Sequence, residues 1–508
     1  MKKLINVAFK WYYHQRMSHI RAYMDHPLKV QKTVLSNLIN VARHTEWGKK
    51  YDFNSIKNAG AFASRIPVQD YESLKPYIGR MMHGEKDVLW AGQVKWFSKS
   101  SGTTSDKSKF IPVSPENLKH CHLRGGWDSM TLLYNRYRHL NIFGHKNLVM
   151  GGALAQFSEY PKTLTGDVSA IMLHKLPLIA RPFYSPDLET ALDPDMERKL
   201  DNIAAISSQE NIAMIAGVPT WVVVLFRKIL DRTGKKNILE VWPNLQVYMH
   251  GGVSFQPYRD QFRALIPDPD FIYQEIYNAS EGFFATQDTA AEDGMLLLLN
   301  NGIYYEFIPA GEWQNPHPKA IPLEEVEAGK NYALVISTNS GLWRYVPGDT
   351  VIFTSTAPYR IRITGRTKQF VNAFGEEVMI ENTDAALAET CKQTGALASE
   401  YTVAPIYFTG TGKGGHQWVI EFLKEPENLS YFKHLLDQNL QKINSDYEAK
   451  RFNNMALECL NVIKVPPGSF TGWMRSKGKY GGQNKVPRLS NHRQYIDELL
   501  LFLERENV

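Results

Sequence analysis

The texture of the chain changes near residue 365, and that change limits the folds open to it. Residues 294–365 run as short apolar segments: M-L-L-L-L, I-Y-Y-E-F-I, Y-A-L-V-I-S-T, L-W-R-Y-V and T-V-I-F-T. Turn residues separate them, and such runs build an antiparallel sheet or barrel. After Gly365 the pattern becomes strand, helix, strand, helix. Helices are expected near 380–395, 428–446 and 491–505, and strands near 401–409 and 417–423. The chain's 508 residues exceed what one hydrophobic core can serve. The expected class is α/β. Residues 1–367 form a large domain of α/β sheets with a β-barrel-like part, and residues 368–508 a small mobile α+β domain. The boundary falls near Arg366–Phe370.

The first 45 residues carry apolar positions at helical spacing (Val30, Val34, Leu38, Ile39, Val41) and read as packed helices. The start, M-K-K-L-I-N-V-A-F-K-W-Y-Y-H-Q-R, is broken by Lys10, His14 and Arg16, which suits an amphipathic helix better than a signal peptide. No apolar run is long enough to span a membrane. In G-V-P-T-W-V-V-V-L-F, Pro219 and Thr220 suit a helix start. L-Q-V-Y-M-H-G-G (245–252) reads as a strand ending in Gly-Gly. Net charge is +6 with lysines and arginines scattered, which argues against a nucleic-acid surface. Cys121, Cys391 and Cys459 lie far apart, without C-x-x-C spacing, so neither a zinc site nor a disulfide framework is expected. The expected compartment is the cytoplasm.

Residues 98–109, S-K-S-S-G-T-T-S-D-K-S-K, hold the densest chemistry. An anion-binding loop needs inward N–H groups, hydroxyl donors, and glycine where the chain must approach closely. Ser100, Ser101, Thr103, Thr104 and Ser105 supply hydroxyls, and Lys107 and Lys109 add charge. Extended segments, W-F-S and F-I-P-V, flank the loop. It is not a Walker loop, which needs G-x-x-x-x-G-K-[ST] before a helix. G-T-G-K-G-G (410–415) also fails that spacing and reads as a hairpin turn. Taken alone, residues 98–109 also suit a Ser/Thr linker.

Other stretches join it. In Y-N-A-S-E-G (277–282), Tyr277 can stack on a base, Ser280 can meet a phosphate, and Glu281 can hold Mg²⁺ through carboxylate oxygen. The turn in Y-V-P-G-D (345–349) offers Asp349 to ribose hydroxyls. Arg366, in G-R-T-K, can bind ribose or phosphate. Lys485, in the Gly-rich Y-G-G-Q-N-K-V-P-R (480–488), can neutralise developing phosphate charge. Each also has a plain reading as a turn or a solvated surface charge.

The ordered set resembles the acyl-adenylate-forming superfamily and, more narrowly, the auxin-responsive promoter family of acyl acid–amido synthetases. The similarity lies in S-S-G-T-x-x-x-x-x-K, Y-x-A-S-E, Y-x-x-G-D and the closing N-x-K-x-P-R, with F-x-x-x-I-P-V-Q-D-Y-E-S-L-K-P-Y-I (62–78) upstream. The resemblance implies that Ser100, Ser101, Gly102, Thr103 and Thr104 cradle the ATP phosphates and that Gly251 and Gly252 flank the adenine. It assigns Tyr277, Ser280 and Glu281 to base, phosphate and Mg²⁺, and Asp349 to the ribose. Arg366 would sit at the nucleotide's edge, Lys368 at a hinge, and Lys485 would serve the adenylation half-reaction. Val218 and Trp221 are implied in the acyl pocket. Asp106 departs from the family pattern, where many members carry glycine, and nearby lysines would have to offset its charge.

The implied reaction joins a carboxylic acid to AMP and passes it to an amine, with an amino acid the acceptor that the resemblance implies, giving an amide. The small domain would turn about 366–370 between the steps. Formation of a coenzyme A thioester, and nucleotide binding without catalysis, are the alternatives. The implied partners are small molecules, with no nucleic acid and no membrane, and the chain would act as a monomer or small homo-oligomer.

Overall fold

The computed structural model describes residues 2–506 apart from 101–108, 177–179, 253–254, 256–257, 291–293, 314, 316, 367–369, 372–377, 407–413, 445–446, 449–450, 452–456, 480–484 and 491. The chain divides into two units, Met1–Val253 with Arg263–Ile363, and Ser254–Phe262 with Thr364–Val508.

Up to residue 366 the strands are, in chain order, β1 (Trp96–Ser100), β2 (Lys109–Val113), β3 (Lys146–Val149), β4 (Leu154–Gln156), β5 (Leu164–Gly166), β6 (Tyr184–Ser185), β7 (Ile212–Ala216), β8 (Val247–His250), β9 (Ile272–Ala279), β10 (Gly282–Thr286), β11 (Met295–Leu297), β12 (Ile303–Pro309), β13 (Ile321–Pro322), β14 (Asn331–Thr338), β15 (Asp349–Thr356) and β16 (Tyr359–Arg366). A twelve-stranded sheet runs β13-β12-β14-β15-β16-β11-β10-β9-β8-β7-β3-β6. Its β6, β3, β7, β8 and β9 are parallel. The pairs of β10 with β9 and β11, of β11 with β16, and of β14 with β12 and β15 are antiparallel. The β-rich stretch of the sequence therefore continues the parallel sheet. A second sheet runs β2-β1-β5-β4.

Local chemistry accounts for the elements. The central strands I-A-M-I-A and V-Y-M-H are almost wholly buried, as parallel strands covered on both faces must be. The helix Pro27–Ala42 carries proline in its first turn, where its missing N–H costs nothing. Helix Tyr71–Met82 opens on a capping box in which Asp70 and Ser73 bond each other's backbone N–H. Helix Pro219–Thr233 starts at the expected proline and buries Val222, Leu225, Phe226 and Ile229. The main core gathers Trp47, Phe53, Phe62, Trp90 and Trp343 with apolar residues of β10–β15.

In the second unit, β17 (Phe370–Val371) pairs with β18 (Val378–Met379), and β19 (Leu397–Ile406), β20 (Gly415–Lys424) and β21 (Asn461–Val465) form a three-stranded sheet. Helices Ile380–Thr394, Leu429–Ile443, Ser469–Ser476 and Gln494–Glu506 accompany them. Tyr401 and Trp418 stack at 5.3 Å in its core. The turn expected at 410–415 lies mostly outside the described residues, but β19 and β20 pair antiparallel up to Ile406 and Gly415. The sequence reading did not include β21 or the helix at 469–476. Among the described residues, no helix is long and apolar enough to cross a membrane.

Candidate active site

Ligands of open α/β sheets lie outside the carboxyl ends of the parallel strands. Here those ends carry small residues in turns: Gly151 and Gly152 after β3, Gly217 after β7, Gly251 and Gly252 after β8. The β8 turn requires glycine twice. A Cβ on Gly251 would stand 2.4 Å from the Ile276 carbonyl oxygen of β9, and Gly252 has φ of +82°. Glycine at 251 thus lets the chain leaving β8 pass close against Ile276 of β9. Val218 and Trp221, both half-buried, lie beyond β7, at the cap and in the first turn of helix Pro219–Thr233.

The strand that leads into the hydroxyl loop is joined to the Ser-Glu turn. β1 and β2 pair antiparallel, with Ser98 opposite Ile111 and Ser100 opposite Lys109, so the loop spans two strands as the sequence predicts. Residues 101–108, including Ser101, Gly102, Thr103, Thr104 and Asp106, lie outside the described residues, as does Lys368. Ser98, two residues before the strand's end, donates from Oγ to Ser280 Oγ at 3.0 Å, and both hydroxyls are buried. The loop's leading strand is thereby fixed to the turn that carries Glu281.

That turn is unusual for a hairpin. Ser280 and Glu281 form a two-residue connection between Ala279 and Gly282, yet Glu281 is only 6% exposed. Turns usually face water because their polar groups need it. The turn lies against helical residues: the Phe283 N–H meets Cys121 Sγ at 3.3 Å, and a Cβ on Gly125 would overlap the Phe283 ring. A carboxylate and a hydroxyl at this strand end match the oxygen donors that Mg²⁺ takes together with phosphate. Among the described residues, no three metal-capable side chains gather, so a cation here would draw its remaining ligands from nucleotide and water.

Tyr277 and Asp349 also meet. Tyr277 Oη donates to Asp349 Oδ2 at 2.6 Å, while its ring lies 4.7 Å from Phe284 and is buried in the main core. The residues expected at base and ribose are therefore joined, with the tyrosine steadying the carboxylate. Arg366 ends β16, and the structure describes its backbone alone. Lys485 is exposed and belongs to the second unit.

Two supporting features escaped the sequence reading. Arg344, with φ of +44°, forks onto Glu306 through two bonds of 2.9 Å and donates to the carbonyls of Ala63 and Ile66. Gln69 N–H bonds the Arg344 carbonyl and Val346 N–H bonds the Gln69 carbonyl. The segment I-P-V-Q is thus clamped beside Y-V-P-G-D. The signal was present: one arginine and one glutamate sit alone in otherwise apolar runs, which calls for a buried pair. His122 is fully buried and donates from Nδ1 to Asn278 Oδ1 at 3.3 Å, while its Nε2 has no hydrogen-bond partner among the described residues. Burial pushes its pKa down to about 4, so the ring is neutral.

Comparison with known proteins places the chain. The GH3 family N-terminal domain matches residues 16–188 and 158–271, the central domain 296–366, and the C-terminal domain 381–494. The indole-3-acetic acid-amido synthetase GH3.4 of Arabidopsis thaliana is 23% identical, covering 93% of this chain and 91% of its own. The jasmonoyl–L-amino acid synthetase JAR4 of Nicotiana attenuata is 25% identical, covering 64% of this chain and 66% of its own. Among solved structures, the GH3.15 acyl acid amido synthetase is similar with TM-score 0.78 at 14% identity, covering 95% of both chains. The 2-hydroxyisobutyryl-CoA ligase in its postadenylation state has TM-score 0.61 at 14% identity, covering 94% of this chain and 91% of its own. These two structural likenesses bear on the fold, an α/β architecture with a separate C-terminal part, while the matched domains take in most of the chain. The chain belongs to the GH3 family.

Proposed function

We propose that this protein is an ATP-dependent acyl acid–amido synthetase. A carboxylate repels nucleophiles because it is negatively charged. In the first step a carboxylate oxygen attacks the α-phosphorus of ATP and pyrophosphate leaves, giving an acyl-adenylate. In the second, an amine attacks the acyl carbon, loses a proton, and AMP leaves as the amide forms. An amino acid is the proposed amine, in line with the named relatives.

The observation that carries this reading is the Ser98–Ser280 bond, which joins the hydroxyl loop's strand to the Ser-Glu turn. Ser100, Ser101, Gly102, Thr103 and Thr104 are assigned to the phosphates, Gly251 and Gly252 to the adenine, and Asp349, steadied by Tyr277, to the ribose. Arg366 is assigned to the nucleotide's edge, Lys368 to the hinge of a small domain beginning there, and Val218 and Trp221 to the acyl pocket. Glu281 fits Mg²⁺, which would screen the phosphate charge when bound, and Ser280 is assigned to phosphate and Tyr277 to the base. Lys485 is assigned the developing charge of the adenylation half-reaction. We place the enzyme in the cytoplasm, acting on small molecules as a monomer or small homo-oligomer.

Pyrophosphate release is measured over a panel of carboxylic acids for wild type, Ser101→Ala and Lys485→Ala, with mass spectrometry of products formed with amino acids or free coenzyme A. Acid-dependent release that both variants lose, with amide as product, supports the proposal. A thioester product would move the second step to coenzyme A. Silence across the panel would leave a nucleotide-binding protein.

A further inference from the structure

Lys485 stands three residues before Arg488, and the surroundings of Arg488 are unlike those of a surface arginine. Arg488 is only 6% exposed. Its Nη1 bonds Asp384 Oδ1 at 2.9 Å, its Nε bonds Glu400 Oε1 at 3.2 Å, and its Nη2 donates to Tyr258 Oη at 3.2 Å. The guanidinium also lies 5.2 Å from the Tyr401 ring centroid, and Tyr401 Oη donates to the same Asp384 oxygen at 2.7 Å. One planar fork therefore fixes three pieces of the second unit: helix Ile380–Thr394, β19, and the segment Ser254–Phe262. That last segment follows the Gly251–Gly252 turn in the chain and is held again by Gln261 Nε2 on the Ala398 carbonyl at 3.1 Å.

The backbone is fastened separately. Thr402 Oγ1 donates to the Pro487 carbonyl at 2.6 Å, Val403 N–H to the Arg488 carbonyl at 2.7 Å, and Ser490 N–H to the Val403 carbonyl at 3.1 Å. These bonds hold residues 487–490 parallel to β19 through the Val403–Leu489 bridge, and none of them involves Lys485 or Val486. The guanidinium adds a further constraint at Arg488. Buried Pro487 passes it on, because its ring fixes its own φ and keeps Val486 extended. The lysine then stands about 10 Å along a stiff arm from a buried anchor.

We infer that Arg488 is a positioning residue for Lys485, serving the adenylation half-reaction and not amide formation. This rests on the reading of Lys485 given above. Lysine at 488 would keep the positive charge but lose the planar fork that meets three partners at once.

The test uses the full chain as wild type, Arg488→Lys, Pro487→Gly and Lys485→Ala. Pyrophosphate release is followed with an acid that wild type accepts from benzoate, indole-3-acetate and hexanoate. Amide formation is followed separately from the chemically prepared acyl-adenylate of that acid and a mixture of amino acids. Arg488→Lys is expected to lower kcat for pyrophosphate release about 10²-fold, the cost of a small misplacement, with KM for ATP and amide formation within about 2-fold of wild type. Pro487→Gly, which leaves the fork intact and loosens the arm, is expected to act in the same direction, and it decides the matter if Arg488→Lys does not fold. Equal loss of both half-reactions would mark a merely structural role and overturn the inference, as would no loss in either. If Lys485→Ala releases pyrophosphate normally, or wild type releases none with any of the three acids, the reading of Lys485 itself fails and takes the inference with it.

Discussion

Ser98 and Ser280, 182 positions apart in the chain, share a 3.0 Å hydrogen bond between two buried hydroxyls. Ser98 lies in the strand that leads into the hydroxyl loop, and Ser280 precedes Glu281. The bond ties that strand to the Ser-Glu turn.

Removing that bond should disturb the loop more than the fold. Ser98→Ala loses one buried hydrogen bond, worth about 1 kcal/mol of stability. The shifted strand should also slow acid-dependent pyrophosphate release, by about 10-fold for a displacement below an ångström. Thermal unfolding and pyrophosphate release are the readouts. Unchanged release would mean that the strand does not set the loop.

Tyr277→Phe keeps the ring against Phe284 and deletes only the donor to Asp349. A hydrogen bond to a charged group contributes about 1.5–3 kcal/mol. The variant should therefore lose about that much stability, and the freed Asp349 carboxylate should raise KM for ATP several-fold, about 3–10-fold. A KM equal to wild type would remove Asp349 from the nucleotide site.

Glu281→Gln keeps shape and removes charge. Activity should fall about 10²-fold, and part of the loss should return at high Mg²⁺. Titrating pyrophosphate release against Mg²⁺ separates this from a packing defect, because a variant with damaged packing would show the same half-saturation as wild type.

The Arg344–Glu306 pair makes a prediction about stability alone. Removing one partner of a buried ion pair leaves the other charge stranded, at a cost of about 3–5 kcal/mol. Glu306→Ala should lower the denaturant midpoint accordingly. A loss below about 1 kcal/mol would show that the remaining guanidinium finds water or another acceptor.

His122 predicts a pH dependence. Unfolded, its imidazole takes up a proton near pH 6.5, but in the fold burial holds its pKa at about 4. Between those values the unfolded chain binds more protons, so stability falls as pH drops through this window, by about 3 kcal/mol in all. Subtracting the unfolding free energies of His122→Gln from those of wild type across this range isolates the contribution. A flat difference would mean that the ring takes up its proton in the fold at the same pH as in the unfolded chain.

Local structure was legible in the sequence. The turn at Ser280–Glu281 after an apolar strand and the turn before Asp349 stand where the sequence puts them. The helices Ile380–Thr394 and Leu429–Ile443 were legible too, since helical spacing is a short-range signal. What depends on pairing across the chain was not. That β11–β16 continue the parallel sheet is settled by contacts such as Met295 with Ile361, which no local pattern encodes. Glu306 and Arg344 could be suspected of pairing but not placed, because their meeting depends on the register of β12 against β14. Tyr277 was read as a base platform from its type, and only the fold shows its hydroxyl on Asp349.

The most direct measurement follows oxygen from acid to nucleotide. A carboxylic acid that supports pyrophosphate release is labelled with heavy oxygen in its carboxylate and converted with ATP and an amino acid. If the acid is activated as an adenylate, the oxygen that attacks phosphorus leaves with AMP, and the AMP should carry one heavy atom for every amide formed. Amide formed with unlabelled AMP, or with label in inorganic phosphate beside ADP, would contradict the account.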